Sequence, residues 1–292
     1  HTHTHTQDIV VAGGFESMSN IPMYLPKSLP ASGHAQLLDG LLRDGLTDVY
    51  NDVHMGMCGE KCATDYGISR AEQDEFALRS YELARRSVAD GLFAAEIAPV
   101  PVPQGCGKEP KMFTEDEEPA NFRGADKLTN VRPAFTKDGT ITAANASKLN
   151  DGACAVVVMS RAKAEALGAP ILASILGFAD GARDPMDFTT APALTVPKAV
   201  ARAGLSMADI DLHEINEAFA VVALANAKLL EIPIEKINVR GGAIALGHPI
   251  GCSGARIVAT LAHTLRDTMG PGAVGCASIC NGGGGASAIV IR

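Results

Sequence analysis

Three polar clusters in the C-terminal part of the sequence carry residue types that do chemistry: Asn216-Glu217-Ala218-Phe219, Gly247-His248-Pro249-Ile250-Gly251, and Cys280-Asn281 followed by four glycines. Imidazole titrates near neutral pH, so His248 is suited to activating a thiol or stabilising an oxyanion, and the glycines and proline around it fix its backbone without covering the ring. A lone histidine is more often structural, and that reading stands beside the functional one. Cys280 poses the same choice: buried in a strand it is inert, whereas neighbouring turn amides favour its thiolate. Asn216 stands where it would cap a following helix, and its amide can hold a water as well. Gly282 and the three glycines after it are too many for one β-turn and allow main-chain N–H groups to close on a ligand, as an oxyanion hole requires. No strand-glycine-helix unit has GxGxxG or GxxxxGK spacing, which counts against dinucleotide or phosphate-loop binding.

Groups of this kind are held at strand ends and turns of α/β folds, where the sheet supplies rigidity and the loop supplies access. The pattern predicts strands over 153–159, 170–178, 211–215 and 236–239. It predicts helices over 162–167, from about 196, over 217–230 and over 253–266. A hairpin of 275–280 and 287–292 closes the chain, turning on the glycines. Strand and helix in alternation imply a layered α/β domain. Further upstream, 8–14 reads as a short buried parallel strand that ends in glycines and needs a sheet to receive it. Ser69-Arg-Ala-Glu72 has capping-box spacing and starts a helix over 72–91. Residues 94–135 are rich in proline and charge, with Glu115 to Glu118 close to Arg123, Lys127 and Arg132; they read as a solvated loop or a ligand-flanking surface.

The 292 residues, 47% of them hydrophobic, suffice for a large core. A formal charge of −8 without a dense basic block argues against nucleic acid or an anionic membrane as the main partner. No apolar run is long enough to span a bilayer. Seven scattered cysteines suggest reduced thiols rather than a disulfide framework, and Cys58, Cys62 and His54 do not complete a zinc site. The opening His/Thr alternation at 1–6 reads as a translated dinucleotide repeat, with a metal-binding tract or an expression tag as competing readings.

Taken together the clusters resemble the thiolase family. The matching stretches are VAGGFESMSN (11–20), HMGMCGE (54–60), TAANASKLNDGA (142–153), NEAFA (216–220), GGAIALGHPIGCSGARI (241–257) and CNGGGGA (280–286). The likeness is to members that make or cleave acetoacetyl-CoA. It implies a layered α-β-α-β-α fold and coenzyme A thioesters as substrates, with no prosthetic group. In that family one cysteine takes the acyl group and a second removes a proton from the methyl of acetyl-CoA. The resemblance assigns the second role to Cys280, activation of the nucleophile to His248, the holding of a water to Asn216 and an oxyanion-donating amide to Gly282. It places coenzyme A contacts at Tyr81, Phe122, Arg123, Gly124, Lys127 and Ser147, and acyl-pocket contacts at Phe188 and Phe219. Phe188 goes with acceptance of a 2-methyl branch, although Thr189 stands where a proline is usual. A K+ site is implied at Tyr81, Ala143, Ala144, Ala146 and Ile244, a carbonyl cage suited to a hard cation.

The resemblance also implies a division of the chain. Residues 1–16 belong to the N-terminal half-domain, 17–149 to a loop domain with coenzyme A and oligomer contacts, 150–170 to the N-terminal half-domain again, and 171–292 to the C-terminal domain. A homotetramer in the mitochondrial matrix is expected, with the cytoplasm as the alternative. The family's nucleophile precedes the VAGG strand, and neither Cys58 nor Cys62 fits it. The expectation is therefore a half-domain without its first strands and a chain that is inactive for lack of that cysteine. The competing function is a noncatalytic thiolase-like protein that binds acyl-CoA or partners an oligomer.

Overall fold

A computed structural model of the chain describes residues 7–292, so the His/Thr repeat lies outside the described residues. The main elements are strand β1 (Ile9–Ser17), helices α1 (Met55–Tyr66) and α2 (Arg70–Ala89), strand β2 (Asp151–Met159), helix α3 (Arg161–Leu167), strand β3 (Ile175–Ala182), helix α4 (Pro192–Arg202), strand β4 (Leu212–Ile215), helices α5 (Ala220–Leu230) and α6 (Ile250–Thr264), and strands β5 (Gly275–Cys280) and β6 (Gly285–Ile291).

Strands β3 to β6 form one mixed sheet in the order β4-β5-β6-β3, with β4 parallel to β5 and the other pairs antiparallel. Alternation along β5 sends Cys276 to one face and Ala277 to the other. On the first face Val196, Ala199 and Val200 of α4 pack with Ala179, Cys276 and Val290. On the second, Ile257 and Leu261 of α6 pack with Leu212, Ala277 and Ile291. Both faces are thus covered by helices. Helix α5 is buried along most of its length and apolar there except for Asn226, which donates to Thr189 O and Val222 O; Lys228 and Leu229 near its end are exposed. Its Val221, Val222 and Ala225 meet Cys58 and Cys62 of α1, while Ala220 and Ala223 meet Phe76, Ala77 and Tyr81 of α2.

The VAGG segment departs from expectation. It is neither short, buried nor parallel: β1 runs nine residues, pairs antiparallel with β2 from Ile9↔Met159 to Ser17↔Asp151, and leaves Val11 (70%) and Phe15 (78%) exposed. Its glycines lie mid-strand and serve packing rather than a turn. A Cβ on Gly14 would run into the carbonyl of Gly251, and one on Gly251 into that of Phe15, so the pair lets α6 press directly on β1. Helix α6 therefore lies between the two sheets.

The capping box formed as its spacing predicts. The Ser69 hydroxyl accepts from Glu72 N, and the Glu72 carboxylate accepts from Ser69 N, at the head of α2. Several boundaries moved and one expected strand is absent. The strand expected at 170–178 is regular only from Ile175, and α5 begins at Ala220 rather than 217. At 236–239 there is no strand: a 3-10 turn, Ile234–Lys236, ends there and a single bridge joins Ile237 to His213. The reason is Asn238, whose backbone has φ +47° and whose side chain takes over the ladder, accepting from Ile215 N and donating to Ile215 O, each at 2.8 Å. Within 94–135, strands Val100–Val102 and Lys111–Phe113 pair, and short helices cover Glu118–Asn121 and Ala125–Thr129.

Candidate active site

Strand β4 delivers Asn216, and the Asn216 N–H donates to Ser278 O of β5 at 3.0 Å, two residues before Cys280. The chain then leaves the strand, bends at Ala218 and is extended at Phe219, the N-cap of α5. Asn216 is therefore no helix cap, because the helix starts too far downstream for its side chain to reach. Its Nδ2 lies 3.1 Å from His248 Nε2 instead. The Oδ1 of Asn216 is buried and has no partner among the described residues, which leaves one acceptor for a water or a substrate.

His248 is held by its backbone and by its ring. Gly247 has φ +97°, and a Cβ there would strike the Asn150 amide, so only glycine fits. The His248 N–H is shared between Lys148 O and Asn150 Oδ1, each at 3.0 Å. On the ring, Nδ1 is 2.6 Å from Ser253 Oγ, and Ser253 Oγ itself donates to Pro249 O at 3.0 Å. The serine has spent its proton, so it accepts from Nδ1–H. This network assigns the lone pair to Nε2, facing Asn216 Nδ2. Burial, then the positive charge of Arg256, lowers the His248 pKa to about 4. The ring is accordingly neutral at physiological pH. Nitrogen-15 spectra of labelled protein are expected to show an Nδ1–H tautomer that persists from neutral pH down to about 5 and titrates near 4, well below the ordinary value of about 6.5. A midpoint near the ordinary value contradicts the assignment.

Cys280 ends β5 with 6% of its surface exposed, in a cluster with Cys58, Cys62, Phe188, Phe219 and Ala286. Burial pushes its thiol up to about 12. Between the two sequence readings, the resting state is the protonated thiol: apolar neighbours outweigh the turn amides. Among the described residues no hydrogen bond joins the thiol to His248 or Asn216. After Cys280 the glycines make a 3-10 turn, Gly282–Gly284, closed by Asn281 N donating to Gly285 O at 2.9 Å. Gly283 and Gly284 have φ of +81° and +92°, and a Cβ on Gly282 would meet the methyl of Met55.

Glu217, adjacent to Asn216, is fully buried. Its carboxylate accepts from Ser80 Oγ at 2.7 Å, Asn238 Nδ2 at 2.8 Å and Ile244 N at 3.1 Å. Burial raises its pKa and these three donors oppose that. It therefore acts as a clamp between α2 and the segment leading to His248. Glu217→Ala leaves three buried donors without an acceptor and is expected to destabilise the fold by roughly 3–5 kcal/mol in urea unfolding. A loss below about 1 kcal/mol would remove the clamp from the account.

The remaining sequence-selected residues fall into two groups. Phe188 and Phe219 share the Cys280 cluster. Tyr81 and Phe122 stack at 4.8 Å with 20° between their planes, beside Ile244 and Ala144 and away from Cys280. Arg123 and Lys127 are exposed on either side of Gly124, which has φ +99°. Ser147 N donates to Ala218 O at 3.0 Å and Ala146 bridges Phe219, which locks the stretch 142–150 alongside the Asn216 loop. Lys148 Nζ hydrogen-bonds the carbonyls of Ala143 and Ala146. Sequence reasoning passed over Ser253, Asn150 and Lys148. Ser253 was accessible to it, five residues after His248 and within the first turn of a helix. A concavity of about 2530 Å³ lies beside the site, lined by Cys154, Asn150, Pro249, Arg256 and Asp116 but not by Asn216, His248 or Cys280.

With this geometry in place, comparison with known proteins is decisive. The family description "Thiolase, N-terminal domain" matches residues 2–162, and "Thiolase, C-terminal domain" matches 169–292. This chain belongs to the thiolase family. An acetyl-CoA acetyltransferase of Schizosaccharomyces pombe is 52% identical over 291 residues, 99% of this chain and 73% of that protein. A Gibberella zeae protein named as a cytosolic acetyl-CoA acetyltransferase is 50% identical over 289 residues, 98% of this chain and 72% of its own length. The Acat5 thiolase of Ascaris suum, solved in complex with coenzyme A, superposes with a TM-score of 0.91 at 44% identity, over 99% of this chain and 73% of that one. The layered arrangement of this thiolase is the family's fold. Among its described residues no helix is long and apolar enough to cross a membrane.

Proposed function

We propose that this thiolase is an acetyl-CoA acetyltransferase that forms or thiolytically cleaves acetoacetyl-CoA, and that the 292 residues hold the half of the site that handles the carbanion. The observation carrying this is the Asn216–His248 pair at 3.1 Å with a buried, unpartnered Asn216 Oδ1 beside it. Relatives named for acetyl transfer to or from acetyl-CoA, and one solved with coenzyme A, support the substrate class.

The chemistry follows from protonation states. A neutral imidazole with its lone pair on Nε2 can take the proton of an attacking thiol, after which Nε2–H donates to the thioester oxygen. In thiolysis, Cys280 as a thiol gives its proton to the carbanion of the departing acetyl-CoA. In synthesis, Cys280 first gives up its proton to water, the resulting thiolate takes a methyl proton from acetyl-CoA, and the carbanion attacks the acyl thioester and expels the thiolate that carried it, which takes up the proton from water. Phe188 and Phe219, packed in the Cys280 cluster, border the acyl group in this reading, so a branch on the reacting carbon would meet Phe188.

In this reading the acyl-accepting thiol is none of the seven cysteines present, because the family's nucleophile precedes the VAGG strand and neither Cys58 nor Cys62 fits its place. Cys58, Cys62, Cys252 and Cys276 are buried and Cys154 is partly buried, and burial raises each of these thiols as it raises that of Cys280, so protonation state does not separate them; place in the chain does. Cys106 is exposed in the loop between strands Val100–Val102 and Lys111–Phe113. On this reading the 292 residues by themselves are inactive, and a cysteine in a segment placed before the VAGG strand completes the site. Intact-mass analysis after incubation with acetyl-CoA tests this: the 292-residue chain gains no acetyl group, and a chain extended upstream with a thiolase's nucleophile-bearing segment gains one. Tight coenzyme A binding by the short chain with no acetyl uptake by the extended one would instead favour a noncatalytic acyl-CoA-binding protein. The same reading takes the assembly as a homotetramer, in the mitochondrial matrix or, as for the relative named cytosolic, in the cytosol; fractionation of tagged protein separates the two compartments.

A further inference from the structure

The stretch Ala143 to Asn150 connects the Tyr81 region to His248, and its carbonyls converge on a charge that the chain itself supplies. Lys148 Nζ lies 2.5 Å from Ala143 O and 3.0 Å from Ala146 O, and 5.7 Å from the centre of the Tyr81 ring. Both carbonyls belong to the cage in which a K+ ion was expected. The residues present do not fit that ion. A K+ coordinated by the same two oxygens would sit within a few ångströms of the ammonium, and like charges that close in a half-buried site exclude one another. The ammonium meets the cage's requirements by itself: one positive charge, N–H groups aimed at carbonyl oxygens, and an aromatic face beside it.

We propose that the Lys148 ammonium is a tethered monovalent cation that replaces K+ in this thiolase and holds 143–150 in the conformation the active site needs. The consequence reaches His248 through the backbone. Lys148 O accepts the His248 N–H at 3.0 Å, Ser147 N is bonded to Ala218 O, and Ala146 bridges Phe219. Lys148 is therefore a positioning residue, acting through the loop and not on substrate. A free ion would make this loop depend on the salt around it; a side-chain cation does not.

The test uses the thermal midpoint of the purified 292-residue chain in KCl and in choline chloride at equal ionic strength, so it requires no activity. Wild type is expected to melt at the same temperature in both salts. Lys148→Ser, which empties the cage while leaving its carbonyls, is expected to melt roughly 2–4 °C lower in choline chloride and to regain that shift in KCl. Thallium(I) NMR, with Tl+ as the probe for a K+ site, should show binding to Lys148→Ser and none to wild type. Stabilisation of wild type by KCl, Tl+ binding to wild type, or a Lys148→Ser protein indifferent to KCl overturns the proposal. If Lys148→Ser does not fold in choline chloride, the wild-type measurements still decide, and folding of the variant only when KCl is present would count in favour.

Discussion

Cys280→Ala, made in a chain that also carries a thiolase's nucleophile-bearing segment upstream of residue 7, is expected to lower acetoacetyl-CoA synthesis and thiolysis by about 10³–10⁴-fold while leaving acetyl uptake from acetyl-CoA intact. The size follows from the surroundings. Cys280 sits among Cys58, Cys62, Phe188, Phe219 and Ala286, and alanine at 280 puts no proton-transferring group in the place of its thiol. The selectivity follows from chemistry, because only the carbon–carbon step moves a proton on the reacting methyl. Intact mass reads acetyl uptake and a coupled assay reads condensation. Loss of both together would mean that the thiol matters for packing and not for the proton.

His248→Ala in the same extended chain is expected to impair both half-reactions by about 10²–10³-fold, since the imidazole serves the attacking thiol and the thioester oxygen in turn. The comparison with Cys280→Ala is informative because the two variants separate at the first step. Removing the ring also strips Asn216 Nδ2 and Ser253 Oγ of their shared partner. Part of the effect is therefore loss of order around Asn216. Ser253→Ala tests that part: it keeps the imidazole and frees the tautomer, and should cost less activity than His248→Ala. Equal losses would show that orientation of the ring, rather than its presence, governs the rate.

The fixed backbone of His248 was legible in the sequence because its determinant is local. Gly247 and Pro249 flank it, and the positive φ and the Asn150 contact that make Gly247 necessary are the kind of constraint a glycine signals. The capping box at Ser69 and the hairpin over the glycines were legible for the same reason. Of the two readings offered for Asn216, the helix cap does not form, because the start of α5 depends on Ala220 N bonding Asn145 O across the fold and not on residues 216–219, while its amide lies beside His248 as the water-holding reading needs. The VAGG strand misled in a comparable way. Its glycines look like a strand end, and only the approach of α6 explains them. Glu217 and Asn238 were beyond reach from pattern alone: their partners Ser80, Ile244 and Ile215 come from separated segments. The protonated state of Cys280 likewise comes from which residues surround it, which no spacing reveals.

The central claim is that these 292 residues carry the carbanion-handling groups and need an upstream thiol to work. Thiolysis of acetoacetyl-CoA, measured side by side for the 292-residue chain and for the chain extended by a nucleophile-bearing thiolase segment, tests it most directly. The account predicts no turnover by the first and turnover by the second, abolished when the upstream cysteine is replaced by alanine. Turnover by the 292 residues alone would contradict it.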